Sequence, residues 1–98
     1  MRVRVDLIGL FRQRAGTDHL EVEPAGAQPG SQPSVLQCLQ AAESSLGGGS
    51  LLEAGRLREG VLVFLKEPGG ATRRVLRPAE ERVAEGQSLV LSTAMGGG

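Results

Sequence analysis

The sequence predicts a small α+β domain in which one amphipathic helix packs on a mixed sheet of about four to five strands. Three observations favour this fold class: two alternating apolar and polar runs near the N-terminus, one stretch with helical apolar spacing, and two apolar runs in the second half. With 98 residues the chain can form one domain with a modest core. We therefore expect a single domain over residues 1–95, followed by a flexible C-terminal glycine tail at residues 96–98.

The composition argues against several kinds of function. The 11 basic and 11 acidic residues balance, so there is no net charge to attract nucleic acid or anionic lipid. The aromatic residues are Phe11 and Phe64, too few for the stacking surfaces of single-strand binders. A lone cysteine, Cys38, can form neither an internal disulfide nor a metal cluster, and the N-terminus resembles neither a signal nor a membrane span. We expect a cytoplasmic protein with no membrane and no nucleic-acid partner.

The N-terminal region is predicted to form a β-hairpin. The first strand alternates with period two, and its apolar face comprises Val3, Val5 and Leu7. The parity switches around Gly9, which indicates a bulge or a close backbone approach. The segment 12–18 is then the turn, and residues 19–23 alternate again before Pro24 ends the pairing.

The middle of the chain is predicted to hold the main helix. Residues 25–33 are rich in Gly, Pro, Gln and Ser and are expected to form an exposed loop. Ser34 can cap the helix that follows. Its apolar stripe comprises Val35, Leu36, Cys38, Leu39, Ala42 and Leu46. The glycines at 47–49 should end the helix, and a short helical turn is expected over Leu51–Leu57.

The second half is predicted to supply three strands. Residues 61–65 form a continuous apolar run typical of a central strand, with a return strand over 73–76. A last strand is expected at residues 88–92. The resulting order β-β-α-β-β-β, with the first and last strands parallel at the centre, is what a β-grasp sheet requires.

The C-terminal glycines are the most unusual feature of the sequence. Gly96, Gly97 and Gly98 carry no Cβ atoms, so such an end can pass through a narrow channel and present the Gly98 carboxylate to a partner's cleft. A free carboxylate is a poor acceptor, and a nucleotide-using partner would have to activate it as an acyl-adenylate. The alternative is that the glycines are a disordered end or a cloning scar.

Three stretches carry a resemblance to a known family. They are the segment Leu10–Asp18 (LFRQRAGTD), the run Val83–Leu91 (VAEGQSLVL) and the terminal Gly97-Gly98. The sequence resembles the MoaD/ThiS family of ubiquitin-like sulfur carriers, especially the molybdopterin synthase small subunit. It departs from that family at Gly86-Gln87, where many members have Gly-Asp, and at residues 92–96, which contain no proline. These departures leave the biosynthetic pathway open.

The resemblance implies a carrier rather than an enzyme. An E1-like adenylyltransferase, similar to MoeB or ThiF, would adenylate Gly98 with ATP, and a sulfur donor would convert the end to a thiocarboxylate. A sulfur-accepting enzyme, such as the MoaE-like large subunit of molybdopterin synthase, would then take the sulfur. The chain itself would bind no cofactor and no metal and would contain no catalytic residue.

Other residues admit more than one interpretation. If Val63 and Leu65 face the helix, Leu62 and Phe64 form an apolar patch on the open side of the sheet, where a partner enzyme could dock. The alternatives are a covering loop or dimerisation through that face. Arg73 either contacts acidic groups of the partner or charges a strand edge against aggregation.

Three single residues are expected to serve the fold. Phe11 is expected in the core. Cys38 is expected to be a buried thiol without sulfur chemistry. His19 has no second His or Cys near it in sequence and is expected on the surface.

Three functions therefore remain on the sequence alone. The first is sulfur transfer for molybdopterin synthesis or for a related route such as thiamine, cysteine or tRNA thiolation. The second is protein modification, in which Gly98 forms isopeptide bonds with lysines. The third is a β-grasp binding module that uses a sheet face and not the tail.

Overall fold

The computed structural model describes residues 2–24, 31–47 and 51–93. Within these ranges the elements in chain order are β1 (Val3–Leu7), α1 (Leu10–Ala15), β2 (His19–Val22), α2 (Val35–Leu46), β3 (Leu52–Glu53), β4 (Arg56–Leu57), β5 (Val61–Lys66), β6 (Thr72–Arg74) and β7 (Ser88–Thr93). The main sheet of the described residues has five strands in the order β2-β1-β7-β5-β6. The predicted α+β class is confirmed, and the five predicted strands form this sheet, whereas α1 and the β3–β4 pair are elements that the predicted order did not contain.

Two central strands, β1 and β7, lie side by side and run parallel. The neighbouring pairs β1–β2, β5–β7 and β5–β6 are antiparallel. The apolar run predicted as a central strand is β5, an interior strand, whereas β7 occupies the middle of the sheet. The return strand lies at 72–74, slightly earlier than expected.

The core lies between one face of the sheet and α2. The predicted inward side chains of β1 are buried, as are Leu89 and Leu91 of β7 and Val63 and Leu65 of β5. The buried stripe of α2 comprises Val35, Cys38, Leu39, Ala42 and Leu46, whereas Leu36 is only half-buried. Period-two strands and a 3.6-period helix therefore contribute one apolar face each to the same core.

The N-terminus of α2 is fixed by a capping box. Ser34 Oγ accepts a hydrogen bond from the backbone N–H of Gln37 at 3.1 Å, and Gln37 Oε1 accepts one from the N–H of Ser34 at 2.8 Å. These bonds satisfy two backbone donors that the first helical turn leaves open. The predicted cap and helix start are confirmed.

The predicted turn over residues 12–18 is wrong, because α1 occupies most of it. Gly9, at φ 64°, redirects the chain at the end of β1, and the helix that follows places Phe11 in the core. Gly16 ends α1 in the left-handed region at φ 73°. The parity switch around Gly9 therefore marks a helix start, and the expectation that Phe11 is a core residue is confirmed.

The helical turn predicted over Leu51–Leu57 is also wrong. This segment contains the short antiparallel hairpin of β3 and β4, joined by Ala54 at φ 53° and Gly55 at φ 77°. Two consecutive positive φ angles are the geometry of a tight hairpin turn, and a helix excludes them. Alanine at such a position gives no sequence signal, which explains the error.

The loop predicted over 25–33 is described only from Ser31 onward, and residues 25–30 lie outside the described part of the chain. Ser31 and Gln32 are exposed, as expected. Pro33 is instead buried, and its carbonyl accepts a hydrogen bond from the N–H of Val83 at 2.9 Å. The end of the predicted loop therefore packs against the segment that leads to β7.

We predict that Ser34→Ala lowers the free energy of unfolding by about 1 kcal/mol, because it removes the side-chain acceptor of the capping box. Chemical denaturation followed by circular dichroism measures the change. Ser45→Ala, on the exposed side of the same helix, is the matched control and should change stability by less than about 0.5 kcal/mol. Equal effects of the two substitutions would contradict the assigned role of the cap.

Candidate functional site

The predicted working group, Gly98, and the tail at Gly96 and Gly97 lie outside the described residues, which end at Thr93. The structure does describe the strand from which the tail continues. Thr93 is paired with Val61 at the start of β5, and β7 lies between β5 and β1 in the middle of the sheet. The root of the tail is therefore paired with β5, and β1 pairs with β7 as far as Leu91, two residues earlier.

The end of β1 lies beside this root. The N–H of Ile8 donates to the carbonyl of Leu91 at 3.0 Å and extends the parallel pairing one residue past β1. Ile8 and Leu10 are large apolar side chains that are 52% and 54% exposed. Apolar surface next to the tail root is a feature that the sequence analysis missed, although the parity switch around Gly9 signalled it.

The face of the sheet opposite α2 carries an apolar strip. Strand alternation places Leu62 and Phe64 on this open face, because Val63 and Leu65 point into the core. Val90 is the register partner of Phe64 and joins them. All three side chains are half-buried, and none of them packs against the core cluster. We call Leu62, Phe64 and Val90 the open-face strip.

Arg73 does not share this face. Its register partner is Leu65, so its side chain starts from the helix side of the sheet, where it contacts the carboxylate of Glu81. Arg74, paired with Phe64, is the β6 arginine on the open face. The structure therefore brings Leu62 and Phe64 together and places Arg73 around the edge of the sheet.

Charged side chains cover the β1–β2 half of the open face. Arg4 Nε donates to Asp6 Oδ1 at 2.8 Å, and this bond raises the pKa of Arg4. Arg2 lies 3.7 Å from a carboxylate oxygen of Glu21. These exposed pairs contribute little to stability, but they make this half of the face polar. The apolar and polar halves are thus separated along the sheet.

His19 lies on the surface, as expected, with a side chain that is 40% exposed. Its Nδ1 donates to Asp18 Oδ1 at 2.7 Å, and this hydrogen bond lowers the pKa of the Asp18 carboxyl. Among the described residues no group of three His, Cys, Asp or Glu side chains could hold a metal ion. In the same ranges, no helix has the length and apolarity needed to cross a membrane.

Cys38 is fully buried within α2. Burial in apolar surroundings disfavours the thiolate and raises the pKa of Cys38 from 9.0 to about 11. Because the thiolate is the nucleophilic form, this residue is poorly suited to accept or pass on sulfur. The expectation of a buried structural thiol is confirmed.

Comparisons with known proteins identify the fold. No protein-family model and no curated protein matches the sequence. The crystal structure of SAMP1 from Haloferax volcanii superposes with a TM-score of 0.71 at 20% identity, over the full length of both chains. A crystal structure of the small archaeal modifier protein 1 of H. volcanii gives a TM-score of 0.63 at 20% identity over 92% of this chain and 93% of that chain.

A third solved structure, the solution structure of the H. volcanii HVO 2177 protein, gives a TM-score of 0.69 at 21% identity. It covers the whole of this chain and 87% of the other. At this level of identity the likeness establishes the fold. The predicted ubiquitin-like β-grasp is confirmed, and the particular kinship with MoaD stays a prediction.

We predict that Cys38 resists alkylation by iodoacetamide in the folded protein and reacts fully in denaturant. A pKa of about 11 lowers the thiolate fraction at pH 8 roughly a hundredfold relative to the ordinary thiol, and burial blocks access as well. Intact mass after timed quenching measures the reaction. Rapid labelling of the folded protein would contradict the buried position of the thiol.

Proposed function

We propose that this protein is a ubiquitin-like sulfur carrier whose working group is the carboxylate of Gly98. The observation that carries the proposal is positional: three glycines follow shortly after the middle strand of a β-grasp sheet. The structural neighbours, two of which bear the name small archaeal modifier protein or its abbreviation, support a carrier or modifier over an unrelated binding module.

The chemistry requires two steps at the Gly98 carbonyl. An E1-like partner transfers AMP from ATP to the carboxylate and releases pyrophosphate, which gives an acyl-adenylate. A sulfide equivalent then attacks the carbonyl, and AMP leaves with the electron pair of the broken C–O bond. Because glycine has no side chain, the carbonyl is open to both attacks. The product is a thiocarboxylate that an acceptor enzyme can use.

The contribution of the β-grasp domain to this chemistry is to hold the strand from which the tail continues. Pairing of β7 with β1 and β5 anchors the strand from which the tail continues, so the acyl end stays within about 18 Å of Thr93, the reach of five extended residues. We assign adenylation and sulfur transfer to partner proteins. ATP and the sulfur donor are accordingly bound by those partners, and this chain is a substrate and carrier for them.

The open-face strip is the proposed docking surface for the activating enzyme. Leu62 lies next along β5 from Val61, the partner of Thr93, so the strip begins at the root of the tail. Exposed Ile8 extends the apolar surface on the β1 side of the same root. Apolar surface of this kind marks partner interfaces. Arg73, on the adjacent edge, is proposed as a second contact with acidic groups of the partner.

We propose molybdopterin synthesis as the route that receives the sulfur. This choice rests on the resemblance of the segment Leu10–Asp18 and of the terminal glycines to the molybdopterin synthase small subunit. The acceptor would then be an enzyme similar to the large subunit of that synthase. Thiolation in thiamine, cysteine or tRNA synthesis would use the same activated end with another acceptor.

Protein modification is the second candidate, and the names of the structural neighbours favour it. In that function a lysine amine of a target attacks the Gly98 adenylate instead of sulfide. Adducts of cell proteins that are heavier by the mass of this chain would identify it. Both candidates depend on Gly98, whereas a binding module would keep its activity after removal of the tail.

We predict that incubation with the host's E1-like enzyme, ATP and sulfide adds about 16 Da to the intact chain, the difference between oxygen and sulfur in the acyl end. Intact mass spectrometry measures the change. A chain lacking Gly97 and Gly98 should gain no mass while unfolding at nearly the same temperature as the full chain. Failure of the full chain to react with an enzyme that thiocarboxylates its own established carrier would contradict the proposal.

We predict that Phe64→Ala raises the KM of the activating enzyme for this chain by about tenfold, because a half-buried aromatic at the centre of an interface contributes strongly to binding. Steady-state pyrophosphate release measures KM and kcat. Leu76→Ala is the matched control, since Leu76 is also apolar and 73% exposed but lies outside the open face. Equal KM values for both variants would show that the enzyme docks elsewhere.

A further inference from the structure

The amines of this chain are unusually few. Ten of its 11 basic residues are arginines, and Lys66 is the single lysine of the sequence. Arginine stays protonated at any pH that the protein meets, so its guanidinium does not attack acyl groups. A lysine amine can lose its proton and become a nucleophile. Lys66 therefore holds the single side-chain amine that can react with an activated acyl end.

Lys66 ends β5 on the open face of the sheet. Its register partners are Ser88 on β7 and Thr72 on β6, and its side chain borders an open depression of about 780 Å³. Among the described residues no carboxylate forms an ion pair with its amine. The neighbouring Glu67 instead accepts a hydrogen bond from Gln87 Nε2 at 2.7 Å. The amine is thus not engaged by the acid next to it in sequence.

The position of Lys66 favours reaction between two copies of the chain. Lys66 is paired with the first residue of β7, whereas the tail continues from the last, Thr93. The five strand steps between them span about 17 Å, and the five residues 94–98 reach at most about 18 Å when fully extended. A tail would have to lie straight back along its own sheet to reach its own Lys66, which is entropically costly.

We propose that Lys66 is the self-acylation site of this protein, which accepts the activated Gly98 acyl group of a second copy. The proposal rests on the activation of Gly98 proposed above. The Lys66 amine, after loss of one proton, attacks the Gly98 carbonyl of the second copy and forms an amide bond. The bond from that carbonyl to its leaving group breaks, and AMP leaves with the electron pair. The product is an isopeptide-linked pair of chains.

Docking of the activating enzyme and acylation of Lys66 compete for one surface. Lys66 lies two residues along β5 from Phe64 on the same face, so an enzyme that covers the open-face strip also hinders access to this amine. Acylation at Lys66 is then restricted to copies that are not docked. A copy acylated at Lys66 should in turn dock poorly, because its open face carries a second chain.

The first arm of the test needs no enzyme. Fusion of the chain to an intein and cleavage with a small thiol gives a Gly98 thioester, an activated acyl end, and the sample is concentrated at mildly basic pH with an acetylated N-terminus. Each amide bond that forms releases one molecule of the thiol, so we expect a linked pair with twice the mass of the thioester chain less the mass of one thiol. Trypsin, which does not cleave after an acylated lysine, should leave a branched peptide that joins residues 59–73 to residues 83–98.

Two variants complete this arm. Lys66→Arg keeps the charge but removes the nucleophile, and the linked species should fall at least about fivefold. Lys66→Arg with Arg56→Lys moves the single lysine to β4, away from the open face, and should not restore the original yield. Linkage through another residue, or none while the thioester still reacts with added hydroxylamine, would overturn the proposal.

The second arm uses the E1-like enzyme and ATP without sulfide. Pyrophosphate release measures the activation of Gly98. We expect the same branched peptide from the wild-type chain and normal pyrophosphate release from Lys66→Arg. Activation without Lys66 linkage, combined with a negative thioester arm, overturns this inference and leaves the carrier function intact. A positive thioester arm without any enzymatic activation supports Lys66 as the acceptor and counts against the proposed function instead.

Discussion

The parallel pairing of β1 with β7 at the middle of the sheet is the constraint on which the other features depend. It requires a crossover between the first and last strands, and α2 supplies the body of that connection while covering one face of the sheet. Because β7 is the last described strand and pairs with β5 along its length and with β1 as far as Leu91, the residues after Thr93 continue from an interior strand of the sheet. An edge strand would be hydrogen-bonded to a neighbour on one side only.

Because α2 covers one face of the sheet, the opposite face is left exposed. Strand alternation then determines which side chains lie on that exposed face. On β5 and β7 the apolar side chains opposite the core are Leu62, Phe64 and Val90, with Lys66, Ser88 and Ser92 on the same face, whereas on β1 the side chains opposite the core are charged. A single α-helix cannot cover both faces of a five-stranded sheet. The apolar part of the open face therefore lacks cover among the described residues, and it begins beside the tail root. The position of the tail root and the proposed docking surface both follow from this topology.

Period-two and helical patterns predicted the main strands and α2 because an element that buries one face carries apolar residues at a regular spacing in the sequence. They failed where backbone geometry decides the structure. The helix that follows Gly9 is too short to produce a recognisable periodic pattern. Ala54 adopts a positive φ, which the presence of alanine in a sequence does not predict. Register decides on which face the Arg73 side chain starts, and this cannot be read from the sequence because it depends on which β5 residue Arg73 faces. Glycine composition alone indicated the tail.

Under the proposed activation of Gly98, the nucleophile that first reaches the acyl group decides between sulfur transfer and protein modification. This chain itself offers few amines that could compete in that reaction. With arginine at ten of its basic positions, the chain keeps its charge while offering one lysine as a competing acceptor. That lysine lies on the proposed docking face, so an activating enzyme bound there would shield it during the proposed activation of Gly98. Sulfide supplied within such a complex would then meet no competing side-chain amine of this chain.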